Sequence, residues 1–187
     1  QARLAALIWV TQADAGNACF DSKYHYERWR PLSAIPLADT DGNDATVADA
    51  AWSPVVPTPN HPEYPAAHSC ISGAMAEILN GYYGTPEITF DLVGNVSGVT
   101  RHYTNTTAMT QEIQMARIAG GMHFRTSTVE GDALGRNVAR WVLDHHFRAR
   151  CPTASAPDAS ACGNSVGVRH VARQGTSHWR PAMVRLQ

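Results

Sequence analysis

The sequence predicts an all-α protein, a helical bundle with long proline-rich loops. Four segments repeat apolar residues at helical spacing, and seven prolines crowd into positions 31–66. Only the stretch 85–107 is rich enough in Thr, Val and Gly to suggest extended chain or a small hairpin. The 187 residues suit one compact helical-bundle domain over 1–150, burying roughly 70% of its unfolded-state surface. A C-terminal tail over 151–187 follows it.

Residues 2–29 read as one helix, because Leu4, Leu7, Ile8, Ala15, Ala18 and Cys19 recur on one face. Pro31 ends it by restricting the residue before it. Residues 31–66 form a long structured loop with the turn signal Asp41-Gly42-Asn43; loops of that length inside compact domains are commonly functional. A second helix spans 67–80, where Ile71, Ala74, Met75, Ile78 and Leu79 share a face and Gly81 supplies the stop. A third covers 109–120 and closes on Gly120-Gly121. A fourth covers 128–148, with Leu134, Val138, Trp141, Val142 and His145 on one face. That stripe places His145 in the core. Beyond Cys151 no period is visible.

A formal net charge of −1 excludes a nucleic-acid or anionic-membrane surface as partner, since both require a basic excess. No apolar run approaches the ~20 residues of a membrane span. Lys23 is the single lysine, and every other basic residue is an arginine. The chain opens at Gln1 directly into a helical pattern, without Met or signal peptide, which suggests a processed or truncated chain. Cys151 and Cys162 bracket a Pro/Ala/Ser/Asp stretch that a disulfide would pin. Cys19 and Cys70 fall on helix stripes and either pair or pack as small hydrophobes. This cysteine usage predicts an oxidising compartment, hence a secreted or periplasmic protein.

Residues able to do chemistry fall in three places. Lys23 and Arg30 lie two helical turns apart, so both point the same way from the border of the apolar stripe. Cations there need an anion or carboxylates to offset desolvation. His68 follows Pro65-Ala66-Ala67 in the first turn of the second helix, where free backbone N–H groups and the dipole favour an anion. Arg117 shares a face with Ile113, Ala116 and Gly120, and the glycine pair frees His123 to turn back toward it. Singly, these are rim charges and structural histidines.

The order Lys23-YHYERW-Arg30-Pro31, then Pro65-Ala66-Ala67-His68, then Arg117-IAGGM-His123 resembles a three-part signature. It is that of the superfamily containing type 2 phosphatidic acid phosphatases and vanadium-dependent haloperoxidases. The flanking residues resemble its soluble haloperoxidase-like branch, over roughly 15–148. The fold implied is the helical bundle of the vanadium haloperoxidase and acid phosphatase type. Members of that branch are longer, which implies a missing N-terminal half, or one supplied as a separate chain; a homo-oligomer is the other protein partner expected. Three departures stand out: Ala66 replaces a serine that donates to the oxyanion, and Ala67 replaces a glycine. Ser127, four after His123, stands where an aspartate is frequent.

The resemblance implies vanadate held by Lys23, Arg30, Arg117, the Ala67 amide and His123, with His123 the vanadium ligand; phosphate can occupy the same place. His68 would act as base on hydrogen peroxide, Lys23 would sharpen its polarisation, and halide would be oxidised. The alternative is a phosphatase acting on a phosphate monoester, with His123 as nucleophile through a phosphohistidine and His68 protonating the leaving alcohol. A third reading, a non-catalytic oxyanion-binding protein, follows from Ala66, Ala67 and Ser127. Of the remaining residues, His61 reads as a surface-loop histidine that could line the pocket mouth. His102 and Tyr103 could face the site. Glu112 reads as a partner for a site cation or a solvated charge, and Trp179-Arg180-Pro181 as a coincidental echo of the first motif.

Overall fold

The structure is a computed structural model and describes residues 1–94 and 97–148. The expected Cys151–Cys162 disulfide and the tail over 151–187 lie outside the described residues. The elements run α1 (Ala2–Tyr26), α2 (Pro31–Ala34), a 3-10 segment (Ile35–Thr40), α3 (Ala67–Tyr83), β1 (Phe90–Val93), β2 (Thr100–Tyr103), α4 (Thr106–Ala119) and α5 (Arg125–His145). The fold is a helical bundle with one antiparallel hairpin, Phe90 paired with Tyr103 and Val93 with Thr100. Among the described residues no helix is long and apolar enough to cross a membrane.

On α1 the buried residues are Leu7, Thr11, Ala15, Cys19 and Lys23, one in every four. Such a row stays on a single, slowly drifting face of a helix, so Lys23 extends the buried row by one turn. The helix ends three residues short of its apparent pattern. Glu27 adopts a left-handed conformation (φ 45°, ψ 37°) and closes its N–H on the Lys23 carbonyl at 2.9 Å. Arg30 is therefore not on α1. It is an extended residue leading into α2, with Pro31 just inside the helix start. Its meeting with Lys23 is made by the loop, not by a shared helix face.

The central helix, α3, packs against α1, α4 and α5. It runs past the expected stop to Gly84, whose φ of 76° provides the left-handed cap. Gly81 instead makes room for the neighbouring helix, since a Cβ there would stand 2.5 Å from Leu143 Cδ1 on α5. Helices α3 and α5 meet backbone to backbone. A Cβ on Gly135 would run into the Cys70 carbonyl, one on Gly131 would stand 2.7 Å from the Ala66 carbonyl, and one on Gly73 2.6 Å from that of Asp132. The Ala66 N–H also donates to the Ser127 carbonyl at 2.9 Å, tying the starts of the two helices together. Farther along, Arg136 reaches Asp132 at 2.7 Å and Glu77 at 3.2 Å, bracing α5 on α3.

This crossing rotates the core face of α5 away from part of the expected stripe. Its buried residues are Ser127, Thr128, Gly131, Gly135, Ala139 and Val142. Small residues permit close helix approach, so of the expected stripe Val142 is buried, Leu134 and Val138 are half-buried, and Trp141 faces outward, 53% exposed. His145 is exposed too, stacked on Trp141 with 4.5 Å between ring centroids. It is a surface histidine, not a core one. Leu7, Ile78, Ala139 and Val142 form one apolar cluster, and Ala76, Tyr103 and Met109 a second beside the hairpin. Tyr103 thus serves the core, and exposed His102 bonds Asp91 at 2.6 Å. Glu112 accepts from Arg101 at 2.6 Å on the surface.

Candidate active site

Helix α4 starts early because the Asn105 side chain caps it, accepting the Ala108 N–H at 2.7 Å. It ends at Gly120-Gly121, where Gly121 takes a φ of 75°. The segment 52–56 lies over this turn, since a Cβ on Gly121 would stand 3.0 Å from Pro54 Cα and from the Trp52 ring. Val55 N–H holds the Gly120 carbonyl at 3.2 Å. His123 emerges from the turn just before Phe124, the N-cap of α5, and is only 4% exposed.

The ring of His123 is fixed from one side by Glu63, which is fully buried. Glu63 Oε1 lies 3.0 Å from His123 Nδ1 and accepts the Phe124 N–H at 2.9 Å, while Oε2 accepts the Ser127 hydroxyl at 2.5 Å. Burial pushes the Glu63 pKa up, but donation by His123, Ser127 and Phe124 outweighs it and holds the carboxyl below its ordinary value. An ionised carboxylate can only accept, so Nδ1 carries the ring hydrogen and Nε2 the lone pair. Arg30 Nη1, which can only donate, sits 3.0 Å from Nε2 and agrees with that tautomer. Burial lowers the His123 pKa against the opposing pull of Glu63, so the ring is neutral at pH 7.

Three cations surround this pair. Arg30 donates from Nη1 to the Met122 carbonyl at 2.8 Å and from Nη2 to His61 Nδ1 at 3.0 Å, and its Nε reaches the His61 carbonyl at 3.1 Å. His61 is therefore part of the site wall, packed at 5.1 Å on the Phe20 ring. Lys23, fully buried, donates to the carbonyls of Pro62, Glu63 and Pro65 at 2.9, 3.1 and 2.5 Å. Three hydrogens meet three acceptors. Burial draws its pKa down to about 8, with Cys19 opposing that shift, and the carbonyls favour the charged form, so an ammonium stands there at neutral pH. Arg117 is held differently. Its Nη2 touches Met122 Sδ at 2.7 Å, while its Nε is buried without a partner.

Ala66 offers no side-chain cap to α3, so the first N–H groups of that helix, Ala67 and His68 among them, have no acceptor within the helix. The His68 side chain is solvent-exposed. Desolvation by its protein neighbours, then the charges of Arg117, His123, His61 and Lys23, lower its pKa. Lys23, Arg30 and His123 thus share one hydrogen-bonded group with His61 and Glu63, and Met122 links Arg117 to it. Glu63 is the residue sequence reasoning missed. Its one signal is being the single acid between Asp49 and Glu77, in the loop that feeds α3.

A tetrahedral oxyanion such as vanadate or phosphate fits this donor set. One buried guanidinium N–H lacks an acceptor, a helix start offers N–H groups, two further cations supply charge, and one imidazole lone pair, here accepting from Arg30, lies among them. The family model described as the VCPO second helical-bundle domain matches residues 3–150. The vanadium chloroperoxidase of Curvularia inaequalis is 33% identical over 92 residues, 44% of this chain and 14% of that protein. The crystal structure of the first bacterial vanadium-dependent iodoperoxidase superposes with a TM-score of 0.66 at 29% identity, over 75% of this chain and 32% of that one. An apo-type bacterial vanadium-dependent chloroperoxidase, at 18% identity, shares the fold with a TM-score of 0.61, over 74% of this chain and 35% of its own. The chain spans about a third of the length of these solved relatives. Since the match runs through the whole bundle and its three motifs, the chain belongs to the VCPO second helical-bundle domain family, within the vanadium haloperoxidase superfamily.

Proposed function

We propose that this chain carries the oxyanion site of a vanadate-dependent haloperoxidase, which oxidises halide with hydrogen peroxide. The observation behind it is His123: a neutral, buried imidazole with Nδ1–H held by Glu63 and Nε2 set among cations. His123 Nε2 would ligate vanadium in place of the Arg30 Nη1–H it now accepts, leaving that N–H, with those of Arg117 and Ala67, to bind the oxygens. Bound vanadate supplies Lewis acidity that activates hydrogen peroxide toward halide. Lys23, whose hydrogens are engaged by carbonyls, contributes its charge rather than a hydrogen bond. Glu63 fixes the ring and raises the basicity of Nε2. His68, exposed and neutral, takes the proton from hydrogen peroxide at its imidazole.

The same lone pair suits attack on a phosphate monoester, but that reaction requires His68 to enter protonated. Desolvation and the neighbouring cations lower the His68 pKa in the anion-free site, which agrees with a base there. A paired assay on one preparation decides. One arm measures bromide oxidation by hydrogen peroxide after orthovanadate loading and removal of the excess. The other measures p-nitrophenyl phosphate hydrolysis without vanadate. Vanadate-dependent halogenation with weak hydrolysis is expected; vanadate-inhibited hydrolysis alone would move the protein to the phosphatases. Silence in both arms would support the non-catalytic oxyanion binder. His123→Ala should remove both bound vanadium and activity, and full retention would sink the site.

A further inference from the structure

On the contact between α1 and α3 lie Cys19 and Cys70. Both are fully buried free thiols, and their sulfurs stand 2.7 Å apart. Unbonded sulfurs do not pack that closely. A disulfide needs about 2.05 Å, so the two have a fraction of an ångström left to travel. We propose that Cys19 and Cys70 form a disulfide joining α1 to α3 when the chain folds in an oxidising environment. The proposal stands on this packing and not on the haloperoxidase reading.

The position gives the bond a purpose. Cys19 lies one turn before Lys23 on the same buried row, and Cys70 two residues after His68. Cys19 Sγ also leans on the Pro65 carbonyl at 3.8 Å, the carbonyl that Lys23 Nζ holds. The bond would close a chain segment of about fifty residues, and that segment contains Arg30, His61 and Glu63. Much of it lies outside helices, so its conformational freedom in the unfolded chain is what a cross-link restricts most. In the reduced protein the pair is unequal: donation from Cys70, helped by the Lys23 ammonium, holds Cys19 below its ordinary pKa, while that interaction and burial push Cys70 up.

The step is thiol–disulfide exchange. One thiolate attacks an oxidised partner of the disulfide class, such as glutathione disulfide, forming a mixed disulfide and releasing one thiol. The second thiolate attacks the mixed disulfide at the protein-bound sulfur, forming the Cys19–Cys70 bond and releasing the second thiol. Two protons and two electrons leave with the partner. Since both sulfurs are buried, exchange takes place before α1 closes on α3, or during its opening.

The test uses the full chain with Cys151→Ser and Cys162→Ser, refolded with oxidised glutathione and alkylated in denaturant without reductant. The expected result is an intact mass two hydrogens lower than the reduced chain, no alkylation, and a cross-linked peptide pair containing Cys19 and Cys70. Adding reductant should then lower Tm by roughly 5–10 °C, and the added Cys19→Ser variant should lose that reductant sensitivity. Full alkylation of both cysteines after oxidative refolding, or a Tm indifferent to reductant, would overturn the proposal. The wild-type chain provides the second check: Cys19 or Cys70 bonded to Cys151 or Cys162 in place of each other would also overturn it.

Discussion

Lys23 gives its three ammonium hydrogens to carbonyls of the loop 62–65, whereas Arg117, at the end of α4, keeps a buried Nε with no acceptor. Both belong to the same three-part motif. The first is built into the protein as a cross-brace for a loop otherwise short of backbone partners; its charge is secondary to its three bonds. The second bears an unmet demand, since a buried N–H without a partner costs roughly 1–3 kcal/mol. Of these two cations, then, one is fully engaged within the protein and the other keeps a donor unengaged.

The sharpest way to break that division is Lys23→Met. Three carbonyls, two of them buried, would lose their donor, at roughly 1–3 kcal/mol for each buried one, so the Tm measured by calorimetry should fall by about 10 °C. An unchanged Tm with lost vanadate affinity would put the ammonium on the ligand and erase the distinction. Arg117→Ala should do the reverse. Vanadate affinity, read as retained vanadium after dialysis, should drop roughly 10–100-fold for a lost charge-assisted bond, with Tm nearly unmoved. Glu63→Gln keeps the shape and removes the charge, so vanadate affinity should fall by about tenfold, and the His123 pKa, followed by NMR, should fall further without its carboxylate.

The smallest effects concern pH. The Glu63 pKa is depressed below the ordinary 4.5, so its contribution to stability is complete above that value and is lost as pH falls through the lowered pKa. In Glu63→Gln the acid limb of Tm against pH should flatten; a limb identical to wild type would show that other carboxylates govern it. For His68, whose pKa lies below the ordinary 6.5, a base is competent when unprotonated. The acid limb of kcat/KM should therefore fall below pH 6.5.

The helices are legible in the sequence because apolar spacing is local: Ile71, Ala74 and Ile78 announce α3 without help from the rest of the chain. Two kinds of information are not local. The end of α1 depends on Glu27 taking a left-handed conformation that no glycine or proline marks, so the spacing alone puts Arg30 on the wrong element. The burial of α5 depends on what it meets. Glycine and alanine against α3 outweigh the larger residues Trp141 and His145, which a hydrophobicity stripe counts most heavily. The motif residues Lys23, Arg30, Arg117, His68 and His123 are singled out by their resemblance to the family's three-part signature. Glu63 is not, because its tie to His123 spans sixty residues and exists only once the loop folds back onto α1. Ser127 explains part of that: its hydroxyl donates to the same carboxylate instead of a carboxylate of its own reaching His123.

The glycine contacts between α3 and α5 bear on how far this protein can change. His68 rides on the first turn of α3, and His123 on the residue before the N-cap of α5. The two helices are registered by peptide groups touching at Gly73, Gly131 and Gly135, and peptide dimensions do not vary with sequence. Substitutions on the outer faces can alter solubility or surface charge while the spacing of the two histidines is inherited unchanged. The same joint is intolerant in the other direction, since one methyl group at Gly135 would pry the histidines apart before any side chain in the pocket had been altered.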